Sequence, residues 1–240
     1  MSAARRGQGE QRFPTDERIL TSRLELVSAI ADDAEELAEV FGDERLYVFL
    51  ASRPTSTDKL REQLARLAAA RLSDKQGTAQ HNLTVRRRGD GRAVGMLQAA
   101  FSDQGRAADI AWAVGVPWQG QGIASEAARA VVGWLERRGV ATITAHIHPD
   151  HHASATVATR AGLRPTGDYR DHQGIREQPW HRQFDRVVVR GGSAPVGGGA
   201  DLRLAGSIPA AKDHGFLTAT SEAVIYLAMT RLLLRRFTRP

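Results

Sequence analysis

With 240 residues, 42% of them hydrophobic, the chain is long enough to bury one sizeable core, and a single domain is the expectation. It has no cysteine, which excludes disulfides, thiolate nucleophiles and cysteine-ligated zinc and accords with a cytoplasmic setting. The net charge of +6 invites a nucleic-acid reading, but Lys occurs only at Lys59, Lys75 and Lys212 and the arginines are scattered, so no specific nucleic-acid partner is expected.

Residues 1–17 carry basic side chains with no apolar run after them and read as a disordered leader rather than a secretion signal. Residues 19–27 alternate as a first strand, and Asp32-Asp33-Ala34-Glu35 is a capping pattern for a helix through Leu37, Val40 and Phe41 that stops at Gly42. Leu60, Leu64, Leu67, Ala68 and Leu72 mark one face of a second helix over 57–73. Strands over 81–86, 93–101 and 107–114 form an antiparallel meander, turned at Gly89-Asp90-Gly91 and at 102–105. A third helix over 125–139 follows, with Ile123, Ala127, Val131, Trp134 and Leu135 at helical spacing. The spacing then predicts a strand over 141–147 and a short helix from Pro149 to Gly162. Two closing strands over 163–169 and 181–189 flank a loop rich in His, Gly and Arg. The order predicts an α/β (α+β) domain over 18–189, with a mixed, largely antiparallel central sheet and helices on both faces.

Residues 190–200 are rich in Gly and Pro and read as a linker. The tail, 201–240, holds an amphipathic helical pattern over 221–237, too short for the about 20 apolar residues of a bilayer span, so no transmembrane segment is expected. It could pack on the domain or on the second subunit of a homodimer, bind a membrane surface or an anionic partner, or stay disordered.

Between the strand at 107–114 and the helix at 125–139 lies Trp118-Gln119-Gly120-Gln121-Gly122-Ile123-Ala124-Ser125. A loop leaving a strand and opening a helix aims its amides and the helix N-terminus at one point, and its two glycines let an anion approach. This layout resembles motif A of the GNAT superfamily of N-acetyltransferases, with Gln119, Gly122 and Ala124 on the defining positions of the loop that holds the pyrophosphate of acetyl-coenzyme A. Leu20-Thr21-Ser22-Arg23-Leu24 is similar to the opening of the branch that includes the ribosomal-protein alanine acetyltransferases. A second matching segment, His151-His152-Ala153-Ser154 before a helix ending at Gly162-Leu163, departs from the usual Asn-x-x-Ser by placing His151 where Asn contacts the pantetheine arm.

The resemblance implies direct attack of an acceptor amine, on a small molecule or a peptide N-terminus, on the thioester of acetyl-coenzyme A. It places the coenzyme on Gln119, Gly120, Gln121, Gly122, Ile123 and Ala124, on backbone groups near Val114 and Val116, and on His151 and Ser154. It also makes Ser154 the donor to the departing sulfur, the alternative being a helix-opening serine that satisfies backbone amides. Asp109 matches the position of a family acid and is the candidate base, the alternative being a solvated strand-end carboxylate. An α-amine costs only about 1 kcal/mol to deprotonate at neutrality and a lysine nearly 5 kcal/mol, so a modest base suits the former. Tyr169, Asp171 and His172 are further candidates. His146, His148, His151 and His152 lack a local acidic ligand, and no metal is expected. The competing reading is a noncatalytic acyl-coenzyme A-binding module.

Overall fold

A computed structural model describes residues 18–49, 53–73, 80–102, 105–172 and 175–184; the leader, the 190–200 linker and the 201–240 tail lie outside the described residues. Strands β1 (Ile19–Leu20), β2 (Leu24–Ser28), β3 (His81–Arg87), β4 (Ala93–Ser102) and β5 (Ala107–Val114) run in sequence order across one sheet. It continues through β6 (Thr142–Ile147), then β9 (Ile175–Gln183), with β7 (Arg164–Pro165) and β8 (Arg170–His172) both paired to β9. Every pairing is antiparallel except β5 with β6, the pair joined by a helical crossover, as parallel neighbours must be.

Alternation along the strands divides two cores between the faces. Leu24, Leu26, Leu97, Ile110 and Trp112 pack with Val131 and Leu135 of α3 (Ile123–Arg137) and with Ala158 of α4 (His152–Arg160). On the opposite face Met96 and Ala113 meet Leu37 and Val40 of α1 (Ala34–Phe41) and Leu60 and Leu64 of α2 (Thr57–Ser73). Each buried Leu contributes about 1.5–3 kcal/mol, so the two apolar helix faces read from the sequence suffice to hold both layers. The expected capping pattern serves a longer-range purpose. Asp33 accepts from the Ile30 amide at 3.1 Å and also from Thr84 and Arg86 of β3 at 2.6 and 2.5 Å, tying α1 to the sheet. Among the described residues no helix is long and apolar enough to cross a membrane.

Three expectations are corrected. The first closing strand expected over 163–169 is reduced to β7, and the chain pairs with β9 again only at β8. The single first strand over 19–27 is two, because the Thr21 hydroxyl accepts from the Leu24 amide at 2.8 Å and turns the chain between β1 and β2. The second closing strand begins at Ile175 rather than at 181, since its inward positions are Glu177 and Pro179, a charge and a proline that hide the alternation. Residues 185–189 of that expected strand lie outside the described residues.

The pairing of β5 with β6 decides where ligands can enter. It extends only over Ala107↔Thr142, Ala108↔Ile143 and Asp109↔Thr144; beyond that Ile110–Val114 pairs as strand only with β4 and Ala145–Ile147 only with β9. The sheet therefore opens as a wedge with Asp109 and Thr144 at its floor. Gly95 allows β4 to hug the far side of that wedge, since a Cβ there would lie 2.2 Å from the Ala113 carbonyl oxygen.

Candidate active site

At the open end of the wedge, β5 passes through a 3-10 turn (Val116–Trp118) into the loop that starts α3. Gly120 and Gly122 have φ of 72° and 78°, a left-handed conformation that costs other residues about 1–2 kcal/mol. The first intrahelical bond of α3 runs from the Glu126 amide to the Gly122 carbonyl, which leaves the amides of Ile123, Ala124 and Ser125 without helical acceptors. Gln119 turns back, its Nε2 donating to the Val114 carbonyl at 3.0 Å, and clips the loop to the strand end.

A cleft of about 620 Å³ runs from this loop down the wedge between β5 and α4. Of the expected coenzyme contacts, Val114, Gln119, Gly120, Gly122, Ile123, Ala124, His151 and Ser154 line it together. Val116 packs instead toward the α1–α2 core, and Gln121 lines a neighbouring recess with Arg23, Arg87 and Arg88. Ser154 is buried on the first turn of α4. The His151 ring caps α4, its Nδ1 accepting from the Ser154 amide at 3.5 Å, and its face stacks on Phe49 at 4.6 Å. Arg160, on the last turn of α4, adds a positive charge to the lining.

Sequence reasoning missed what braces the loop. The first-turn Glu126 of α3 accepts from the Thr21 hydroxyl at 2.6 Å, the Arg23 amide at 3.1 Å and Arg23 Nε at 2.7 Å. Arg23 Nη1 also donates to the Gln121 carbonyl at 3.1 Å. Burial raises the Glu126 pKa, but the bonds from Thr21 and Arg23 and the Arg23 charge outweigh it and hold the carboxyl at about 2. The Thr21-Ser22-Arg23 phrase carried the only sequence signal, and nothing local named its partner 103 residues on.

Asp109 sits at the wedge floor on the opposite, α1–α2 side of the sheet. Its side chain keeps 40% of its accessible surface, yet protein on most sides strips its hydration. Burial therefore pushes its carboxyl up to about 6, against the Thr144 hydrogen bond and the Arg170 charge. His146 and Glu177, neither expected from sequence as functional, lie beside it. His146 Nε2 is 3.9 Å from Asp109 Oδ1 and Nδ1 is 3.9 Å from Glu177 Oε2. The histidines seen in the sequence thus separate, since His148 and His151 both flank Phe49. Tyr169 is exposed and stacks under Arg176, and Asp171 is exposed on β8. A cleft with a serine and a floor with a carboxylate thus lie at one gap in one sheet.

The family model of the acetyltransferase (GNAT) domain matches residues 23–164. The chain belongs to the GNAT acetyltransferase family. As a GNAT domain it shares its fold with a Salmonella typhimurium acetyltransferase described as modifying the N-terminal serine of ribosomal protein L7/L12. That protein is 21% identical, with 70% of this chain and 100% of the other covered at a TM-score of 0.59. RimL, a ribosomal L7/L12 α-N-protein acetyltransferase solved with coenzyme A, is 21% identical over 70% and 99% of the two chains, with a TM-score of 0.60. MccE, a microcin C7 self-immunity acetyltransferase solved with acetyl-coenzyme A and AMP, is 15% identical over 72% and 99%, with a TM-score of 0.57. No curated protein sequence matches this GNAT domain.

Proposed function

We propose that this enzyme transfers the acetyl group of acetyl-coenzyme A to an α-amine or similarly weak amine, on a peptide N-terminus or a small molecule, by direct attack. The observation that carries the reading is the wedge between β5 and β6, capped by left-handed Gly120 and Gly122 and by the free amides of α3. Those amides and the helix dipole suit a diphosphate, and the cleft of about 620 Å³ has the size of a cofactor site. Gln119, Gly120, Gly122, Ile123 and Ala124 hold the diphosphate, with Gln121 keeping the loop closed through its bond to the Pro117 carbonyl. Val114 borders the arm, and His151 packs beside it.

Ser154 supplies a hydroxyl to the sulfur as the carbon–sulfur bond breaks, and Asp109 accepts the acceptor's proton. With its carboxyl at about 6, Asp109 is a modest base, better matched to the weaker amine. Moving a proton to it from an α-amine is uphill by roughly 2.5 kcal/mol and from a lysine by roughly 6 kcal/mol. The L7/L12-modifying structural relatives, whose acceptor is a protein N-terminus, agree with the first. Thiol release from acetyl-coenzyme A, followed across N-terminal peptides, aminoglycosides and polyamines, tests the assignment. Release above hydrolysis with α-amine peptides is the expected result, and none with any amine would sink it.

A further inference from the structure

Glu177 is wholly buried and neither of its oxygens makes a hydrogen bond, a combination whose desolvation cost is several kcal/mol for an ionised carboxylate. Neither the sheet nor the coenzyme cleft needs it. What it does face is His146. On β6, His146 lies two residues beyond Thr144, the partner of Asp109, and on β9 Glu177 lies two residues before Pro179, the partner of His146. Strand alternation thus puts Asp109, His146 and Glu177 on the α1–α2 face, opposite the coenzyme cleft. Exposure falls along the row from 40% at Asp109 through 6% at His146 to 0% at Glu177. Both ring nitrogens look at a carboxylate across 3.9 Å, a gap that one water or a shift of about 1 Å converts to hydrogen bonds.

We propose that Asp109 and His146 act as one two-site base toward the acceptor amine, with Glu177 as the positioning residue that holds ring Nδ1 and leaves Nε2 turned to Asp109. This deepens the acyl-transfer reading above and rests on it. The acceptor ammonium gives one proton to Asp109, which shares it with His146 Nε2, and the imidazolium charge is balanced by the Glu177 carboxylate. The freed nitrogen forms the new bond to the thioester carbon as the carbon–sulfur bond breaks with its electron pair on sulfur. The nitrogen's second proton reaches sulfur by way of the Ser154 hydroxyl. The products are amide, thiol and one proton that Asp109 returns to solvent. Burial alone pushes the Glu177 carboxyl up to about 7. The other charges around the row are Arg170, whose field lowers both Asp109 and His181, and Asp168, which opposes it at His181.

The test compares wild type, Glu177→Gln, His146→Gln and the double variant by kcat and KM across the neutral pH range, and by ¹⁵N spectra of the histidine ring. Expected are losses in kcat of about 100-fold for His146→Gln and about 10-fold for Glu177→Gln, with KM for acetyl-coenzyme A within about twofold. The acid limb of the Glu177→Gln profile shifts, the double variant is no slower than His146→Gln alone, and the Nδ1–H signature of wild type is lost on Glu177→Gln. Retained thermal stabilisation by coenzyme A shows that Glu177→Gln still folds. A Glu177→Gln profile and ring spectrum superimposable on wild type, or losses that multiply in the double variant, overturn the proposal. If wild type turns over no amine, the acyl-transfer reading fails by itself, and the ring spectra still decide whether Glu177 holds His146.

Discussion

Replacing Glu126 by Gln keeps the shape of the brace under the glycine loop and removes its charge. The carboxyl is depressed from 4.5 to about 2, and 2.5 pH units correspond to roughly 3 kcal/mol of folded-state stabilisation. That figure is an upper bound. The carboxylate is 12% exposed but lies under only one layer of chain, and its partner Arg23 is 54% exposed, so solvent screening leaves about 1–2 kcal/mol. Because the folded pKa is lowered, the stabilisation is complete above about 4.5 and fades as pH falls through about 2. Urea unfolding should therefore show Glu126→Gln about 1–2 kcal/mol less stable than wild type at neutral pH, with the difference shrinking below pH about 4.5. The same change frees Arg23 to release the Gln121 carbonyl, so KM for acetyl-coenzyme A should rise. KM for S-acetylpantetheine, which has no diphosphate, should not move. Equal stability at neutral pH, a gap that does not narrow on acidification, or a parallel rise in both KM values would refute the brace.

Gly122→Ala forces a side chain into a left-handed residue 3.6 Å from Arg23 Nη2 and should cost about 1–2 kcal/mol of stability and weaken coenzyme A binding, read by urea unfolding and calorimetry. Ser154→Ala should lower kcat by about 10- to 100-fold while coenzyme A affinity holds, measured by thiol release and calorimetry. Asp109→Asn should trade rate for stability. The raised carboxyl of Asp109 destabilises the fold as pH climbs from 3.8 through about 6, so the amide should lose kcat yet unfold at higher urea at neutral pH. Its 40% exposure limits that gain to about 1 kcal/mol.

The helices and most strands were legible because each carries its own period. The α2 boundaries and the β5 strand follow directly from apolar spacing and capping residues. The glycine turn before α3 was equally legible, since it is local: two glycines and a helix start, contiguous in the chain. Where inward positions held Glu177 and Pro179, the period vanished, and so did the strand.

The sequence by itself determined most of the elements, the left-handed glycine turn that opens α3 and Ser154 on the first turn of α4, all set by interactions a few residues apart. Tertiary structure alone decided that β5 and β6 part after Asp109, that Arg23 reaches Glu126, and that Asp109, His146 and Glu177 form one row. Those are contacts between strands and turns remote in the chain. Their partners are selected by sheet register and burial, which no local pattern of residues encodes.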